Sequence, residues 1–221
     1  PPASRPALFA WCLFDWANSS FPTVITTFVF AAYFTKAVAP DVVTGTSQWG
    51  YAMSVSALAV ALAGPVLGAI ADRAGARKPW LLGFSVLCIA ATAMLWFAQP
   101  DPGYVLWALV FAAIASFAFE MGMVFYNSML PSLAPSGMIG RLSGWGWALG
   151  YAGGLACLVL ALLGFVQADS PWFGLDVGAA EHLRATPLLV AAWFALFALP
   201  LFLFTPDRPA AGIAPLQAVG Q

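Results

Sequence analysis

The residues able to do chemistry are few, and two of them are carboxylates in places where carboxylates are costly. Asp15 stands in Phe14-Asp15-Trp16-Ala17-Asn18-Ser19-Ser20 and Glu120 in Ala118-Phe119-Glu120-Met121-Gly122, each inside a long apolar run. A charged side chain at a bilayer centre costs about 2.5–3.5 kcal/mol on insertion scales, so such an acid by default faces a cavity, a proton path or a partner charge. Asn18 and Ser19 follow Asp15 at i+3 and i+4, with Pro22 and Thr26 further along, which makes a polar stripe on a helix that Pro22 should kink. Glu120 has Ser116 at i−4 and Asn127 at i+7 on a similar face. These five residues, Asp15, Asn18, Ser19, Glu120 and Asn127, are the candidates for holding a solute or a proton. For Asp15 a structural hydrogen bond near a helix end is the competing reading.

The elements that position them are legible from composition. Hydrophobic residues make up 62% of the 221 and charged residues 8%, against about 25% charged in a soluble domain, and mean hydropathy is +0.88. This describes an all-α integral membrane protein whose partner is the lipid bilayer. Apolar runs cover about 7–38, 48–71, 80–98, 104–130, 142–166 and 187–204, each close to or above the roughly 20 residues that cross a bilayer. Only helices satisfy their backbone there without an exposed sheet edge. At 1.5 Å per residue, Asp15 is expected about 10 Å and Glu120 about 16 Å below one membrane face. Residues 1–204 thus form one six-helix domain, and 205–221, with Pro206, Pro209 and Pro215, reads as a cytoplasmic linker or tail. The chain opens on Pro-Pro without an initiator Met, so a fragment of a longer protein is the expectation.

Basic residues set the orientation. Arg5, Arg73, Arg77, Lys78, Arg141 and Arg208 fall on one side and Lys36 and Arg184 on the other, which places both termini in the cytoplasm. A plasma (inner) membrane is the expected location. Trp49, Trp80, Trp96, Trp107 and Trp172 lie at or just beyond run ends, as an interfacial aromatic belt requires.

Between the second and third runs sits Gly68-Ala-Ile-Ala-Asp72-Arg73-Ala-Gly75-Ala-Arg77-Lys78. Gly64, Gly68 and Asp72 share one helix face through their spacing of four, and small residues there let another helix approach. Gly75 allows the reversal, Arg77 and Lys78 hold the loop in the cytoplasm, and Asp72 could accept from Arg73 or Arg141. Together they read as a latch. In the fifth run Gly146, Gly150 and Gly154 form a smooth stripe for close helix packing.

Several classes are excluded. Net charge is −1 and the basic residues are dispersed apart from the hairpin, which leaves no footprint for nucleic acid. Cys12, Cys88 and Cys157 lie in apolar runs without metal-type spacing, and no cofactor or metal site is expected. Ser143-Gly144 has the look of an intramembrane serine nucleophile, but the one histidine, His182, is placed in an outer loop on the opposite side, so no general base reaches it. No phosphate-binding Gly-x-x-x-x-Gly-Lys loop is present. The chain is read as no enzyme.

The hairpin resembles the signature loop between helices two and three of the major facilitator superfamily at each fixed position. With the Phe14–Ser20 stretch, Phe125-Tyr126-Asn127-Ser128, Leu130-Pro131 and the glycine-rich run from Ile139 to Gly154, the chain resembles the vacuole-effluxer-like branch, also called the unknown major facilitator family. The resemblance implies the first half of a twelve-helix transporter, built from two inverted three-helix repeats, with helices one and four lining the central cavity. It implies that helices two and five meet a second six-helix half from the same parent chain; packing of the glycine stripe within this half stands beside that as an equal alternative. Function is then expected to be secondary active transport of a small solute, such as an amino acid, by alternating access coupled to a proton or solute gradient. A non-transporting scaffold, sensor or lipid-handling protein on the same helices is the other reading.

Overall fold

A computed structural model describes residues 4–73, 76–135 and 137–207, excluding the side chains of 71–73. Every regular element among them is helical. Six helices are long and apolar enough to cross a membrane: α1 Arg5–Val38, α2 Val42–Arg73, α3 Lys78–Phe97, α4 Val105–Leu133, α5 Ile139–Val166 and α6 Glu181–Phe204.

Local signals account for their ends. Ser4 accepts from the Ala7 amide at 3.4 Å, with Pro6 in the first turn of α1. Asp41 Oδ1 accepts from the Val43 and Thr44 amides at 3.0 and 2.9 Å and starts α2. Helix α6 begins at Glu181, ahead of the expected 187, so His182 and Arg184 lie in its first turns instead of in a loop. Pro187 does not begin the helix because Thr186 compensates for the missing amide: its hydroxyl donates to the Leu183 carbonyl at 2.8 Å, the acceptor that residue 187 would otherwise serve.

α1 is widened as well as bent beyond Pro22. The amides of Val29 and Ala39 donate to carbonyls five residues back, Val24 at 3.0 Å and Phe34 at 2.9 Å, in π-type turns. Hydroxyls fill the loosened ladder: Ser20 donates to Ala17 O at 2.8 Å, Thr23 to Ser19 O at 2.7 Å and Thr26 to Pro22 O at 2.9 Å. The Ser and Thr hydroxyls on either side of Pro22 are thus turned onto the backbone of α1.

Helix packing has a symmetry. α1 packs on α5 and α6, α4 packs on α2 and α3, and α3 packs on α6. Exchanging α1–α3 with α4–α6 in order leaves that set unchanged. Because each triplet has an odd number of spans, the second copy runs upside down. The hub of the bundle is α1, with 44% of its most apolar window buried, whereas α2 has only 11% buried. The buried centre is aromatic, with Trp11, Phe14, Phe21, Phe125 and Tyr126 all 2% exposed or less. Outward faces carry large apolar side chains such as Tyr51, Leu62 and Val43, as a surface solvated by lipid requires.

The ends of α3 and α6 are tied reciprocally. At the basic end Lys78, first residue of α3, donates through Nζ to Thr205 O beyond the end of α6 at 2.8 Å. At the opposite end Arg184, in the first turn of α6, donates through Nε to Trp96 O near the end of α3 at 2.8 Å and lies 4.9 Å from the Trp96 ring. Tyr33 OH and Trp107 Nε1 take the neighbouring Ala98 and Met94 carbonyls, each at 2.8 Å. Carbonyls orphaned by the end of α3 are thus satisfied by side chains from three other helices.

Candidate functional site

The site is built where α1, α4 and α5 meet. Trp11 and Tyr126 lock α1 to α4: their rings stack at 4.4 Å and 6°, and Trp11 Nε1 donates to Tyr126 O at 3.3 Å. The Tyr126 hydroxyl lies 3.0 Å from Trp11 O and 3.1 Å from Asp15 Oδ2, so its one proton serves both. Asp15 is 7% exposed, and among the described residues it has no Lys or Arg partner. The Tyr126 phenol and the neighbouring Asn18 amide leave part of the carboxylate's acceptor capacity unmet. One turn on, Asn18 Nδ2 donates to Met123 Sδ at 3.2 Å and Ser19 Oγ to Asn18 Oδ1 at 3.4 Å.

The glycine stripe packs within this half. A Cβ on Gly146 would stand 2.8 Å from Asp15 Oδ2, one on Gly150 2.8 Å from Ser19 Oγ, and one on Gly154 2.6 Å from Thr23 Oγ1. Gly153, absent from the expected stripe, lies against the Trp16 backbone. Of the two uses left open for the stripe, contact with α1 is the one present here. Gly64 and Gly68 differ, since a Cβ on either would meet nothing within 4 Å.

Asp15, Asn18 and Ser19 open onto a cavity of about 300 Å³ shared with Thr23, Thr27, Met123, Phe119, Phe28, Trp147 and Tyr151. Trp147 and Tyr151, one turn apart with ring centroids at 6.0 Å, are 63% and 67% exposed on its wall. An acid flanked by aromatic faces suits a cation: the carboxylate supplies charge and the rings their negative π faces. Neither aromatic was a sequence candidate, although the i, i+4 spacing beside the glycine stripe was a usable signal. Tyr126 was missed in the same way; a tyrosine mid-span needs a partner, and the nearby acid was the available one.

Glu120 and Asn127 share an exposed stripe of α4 and do not line that cavity. The difference in depth of about 6 Å expected for the two acids is an underestimate. Asp15 is level with Tyr126, and Phe21 with Phe119 at 5.5 Å between ring centroids. Glu120 therefore lies about 9 Å deeper than Asp15 at 1.5 Å per residue. The error came from measuring both acids from run ends, because α4 continues past Pro131 to Leu133.

At the basic end, Asp207 Oδ1 and Oδ2 accept from the Arg77 and Lys78 amides at 3.0 Å each, so a carboxylate caps the N-terminus of α3. Arg77 NH1 donates to Ser132 Oγ at 3.4 Å. These two latch residues are thereby fastened to the ends of α4 and α6, and Asp207 was not foreseen. Gly75 and Arg208, and the Asp72 and Arg73 side chains, lie outside the described residues, as does nearly all of the tail. Arg141 lines a separate groove beside Arg5. Cys12, Cys88 and Cys157 are buried and unpaired, and among the described residues no three His, Cys, Asp or Glu converge as metal ligands.

Known proteins resemble this chain over most of its length. Residues 37–219 match the family model described as vacuole effluxer Atg22 like, a match that begins after the Asp15 segment. An uncharacterized MFS-type transporter of Bacillus subtilis (strain 168), YxiO, is 32% identical over 195 residues, 87% of this chain and 45% of the relative. The chain thus spans about half the length of the curated relative it matches. Six apolar helices packed as two inverted triplets, with these two matches, identify the chain as a member of the vacuole effluxer Atg22-like family of major-facilitator-type membrane transporters.

Proposed function

We propose that this chain is one half of a secondary transporter for a small solute bearing a protonated amine, an amino acid among them, and that Asp15 holds the ammonium group. The observation that carries the reading is the nearly buried Asp15 carboxylate, partnered by Tyr126 OH at 3.1 Å, on the wall of a cavity of about 300 Å³ beside Trp147 and Tyr151. A cavity of that size fits a compact solute. The break in α1 beyond Pro22 supports it further, since interrupted helices frame substrate sites in transporters. No Lys or Arg stands centrally in any span, so a solute carboxylate would be met by the second half or by helix ends.

In this reading the second half comes from the same parent chain, both termini face the cytoplasm, and rocking of the halves exposes Asp15 to each side in turn. Asp15 exchanges the ammonium for a proton, which couples transport to the proton gradient. Glu120 and Asn127 stand on the open face of α4 outside that cavity, Asn127 level with Asp15 and Glu120 about 9 Å deeper.

The test is uptake of labelled amino acids and diamines into vesicles containing the full-length parent protein, with an imposed pH gradient. Asp15→Asn is expected to lower uptake roughly ten- to hundredfold, the worth of one charged hydrogen bond of about 1.5–3 kcal/mol. Unchanged uptake would remove Asp15 from the site. Labelled cysteines on either face whose accessibility never changes with solute would favour the scaffold reading.

A further inference from the structure

A second cavity, of about 530 Å³, lies between the starts of α1 and α5, and Arg5 and Arg141 stand on its lining with Phe9, Cys12, Trp145 and Leu149. We infer that this groove binds one anionic phospholipid of the adjacent leaflet, its phosphate held between Arg5 and Arg141 and its acyl chains laid along the apolar remainder.

Three observations carry this. First, both guanidinium groups are exposed, and among the described residues neither has a hydrogen-bond or ion-pair partner. Asp207 is occupied by the Arg77 and Lys78 amides, and Asp15 sits deeper against Tyr126. Two unpartnered cations at the membrane surface call for an anion, and basic pockets between membrane helices on such a face take acidic headgroups. Second, the rest of the lining suits acyl chains, because Phe9 and Trp145 are 60% and 65% exposed. Third, the groove opens away from the solute cavity. Trp145 and Leu149 line the groove, whereas Trp147 and Tyr151 line the Asp15 cavity. A shift of two residues is about 200° around a helix of 3.6 residues per turn, so the two sets occupy opposite faces of α5. A solute in the central cavity does not reach the groove; a lipid at the bundle's edge does.

The experiment is native mass spectrometry of the full-length protein in detergent, titrated with dioleoylphosphatidylglycerol or dioleoylphosphatidylcholine. One phosphatidylglycerol should bind roughly thirtyfold more tightly than phosphatidylcholine, two arginines at ~1 kcal/mol each. The Arg5→Gln, Arg141→Gln double variant should lose that preference, and the Arg5→Lys, Arg141→Lys variant should keep most of it. Equal binding of the two lipids, as when the second half fills the groove, overturns the proposal, as does a preference that survives in the Gln variant. Full competition by inorganic phosphate would assign the arginines to a soluble anion and overturn it too. If the Gln variant does not fold, fluorescence decides: quenching by brominated phosphatidylglycerol beyond that by brominated phosphatidylcholine must vanish in Trp145→Phe.

Discussion

The α1–α5 seam and the exposed faces of α2 and α4 carry similar residues to opposite ends. Both have an intramembrane acid, and both have glycines four apart. On the seam, Asp15 is 7% exposed and each of Gly146, Gly150 and Gly154 is required by an atom of α1 that a Cβ would crowd. On the other faces, Glu120 is exposed, and Gly64 and Gly68 have only open space before them. The same sequence device therefore makes a closed internal contact in one place and an unpartnered surface in the other. A small residue permits approach, and the remainder of the fold decides whether a neighbour arrives.

A branched side chain on each face should separate the two most strongly. Gly150→Val should destabilise the bundle by about 1–3 kcal/mol or prevent its assembly, as overpacking does, whereas Gly68→Val in this six-helix unit should shift stability by less than about 0.5 kcal/mol. Thermal unfolding in detergent reads both, and equal effects would erase the distinction. Next in size is the pair of acids. Against the ten- to hundredfold loss expected for Asp15→Asn, Glu120→Gln should slow uptake by about fivefold at most, since exposed charges are worth roughly 0–1 kcal/mol. A larger effect from Glu120 would move the solute site onto the open face, and an unchanged rate and pH profile would deprive Glu120 of any proton or ammonium role.

Tyr126→Phe is a finer probe. It removes the hydroxyl shared by Asp15 and the Trp11 carbonyl while keeping the 4.4 Å ring stack, at a cost of about 1 kcal/mol. Uptake should fall about fivefold with little change in melting temperature. The smallest effect lies at the start of α2, the least buried helix. Asp41 is held below its ordinary value of 3.8, chiefly by the Thr44 amide. A lowered folded value means that the cap is intact above pH 3.8 and fades as pH falls through the folded value. Protection of the Val43 and Thr44 amides from hydrogen exchange should drop there, and Asp41→Ala should be unprotected at every pH.

The basic hairpin shows how far local pattern reaches. Its charges and spacing were enough to place it at a membrane surface and to suggest the family. They were not enough to find its fastening, because Asp207 and Thr205 are distant in sequence and meet Arg77 and Lys78 only through antiparallel packing of α3 and α6. The site divides similarly. Asp15, Asn18 and Ser19 were legible, since a polar stripe in an apolar helix is visible along one segment. Tyr126, Trp147 and Tyr151 sit on other helices, and nothing along the chain says which of many aromatics faces an acid. Pro187 misled the start of α6 because its compensation is a neighbouring threonine hydroxyl, a detail of geometry.

Six membrane-crossing helices, the face that carries the basic residues, the acids within the spans and the family can all be read along the chain. Those follow from the cost of placing charge and unpaired backbone in hydrocarbon, a cost paid residue by residue and readable in order. The separation of Asp15 from Glu120, the packing of the Gly146 stripe on α1 and the groove shared by Arg5 and Arg141 emerge only once the helices are packed. Each depends on which faces meet across helices far apart in the chain, and hydrophobic packing, being non-directional, leaves that choice to the fit of the whole bundle.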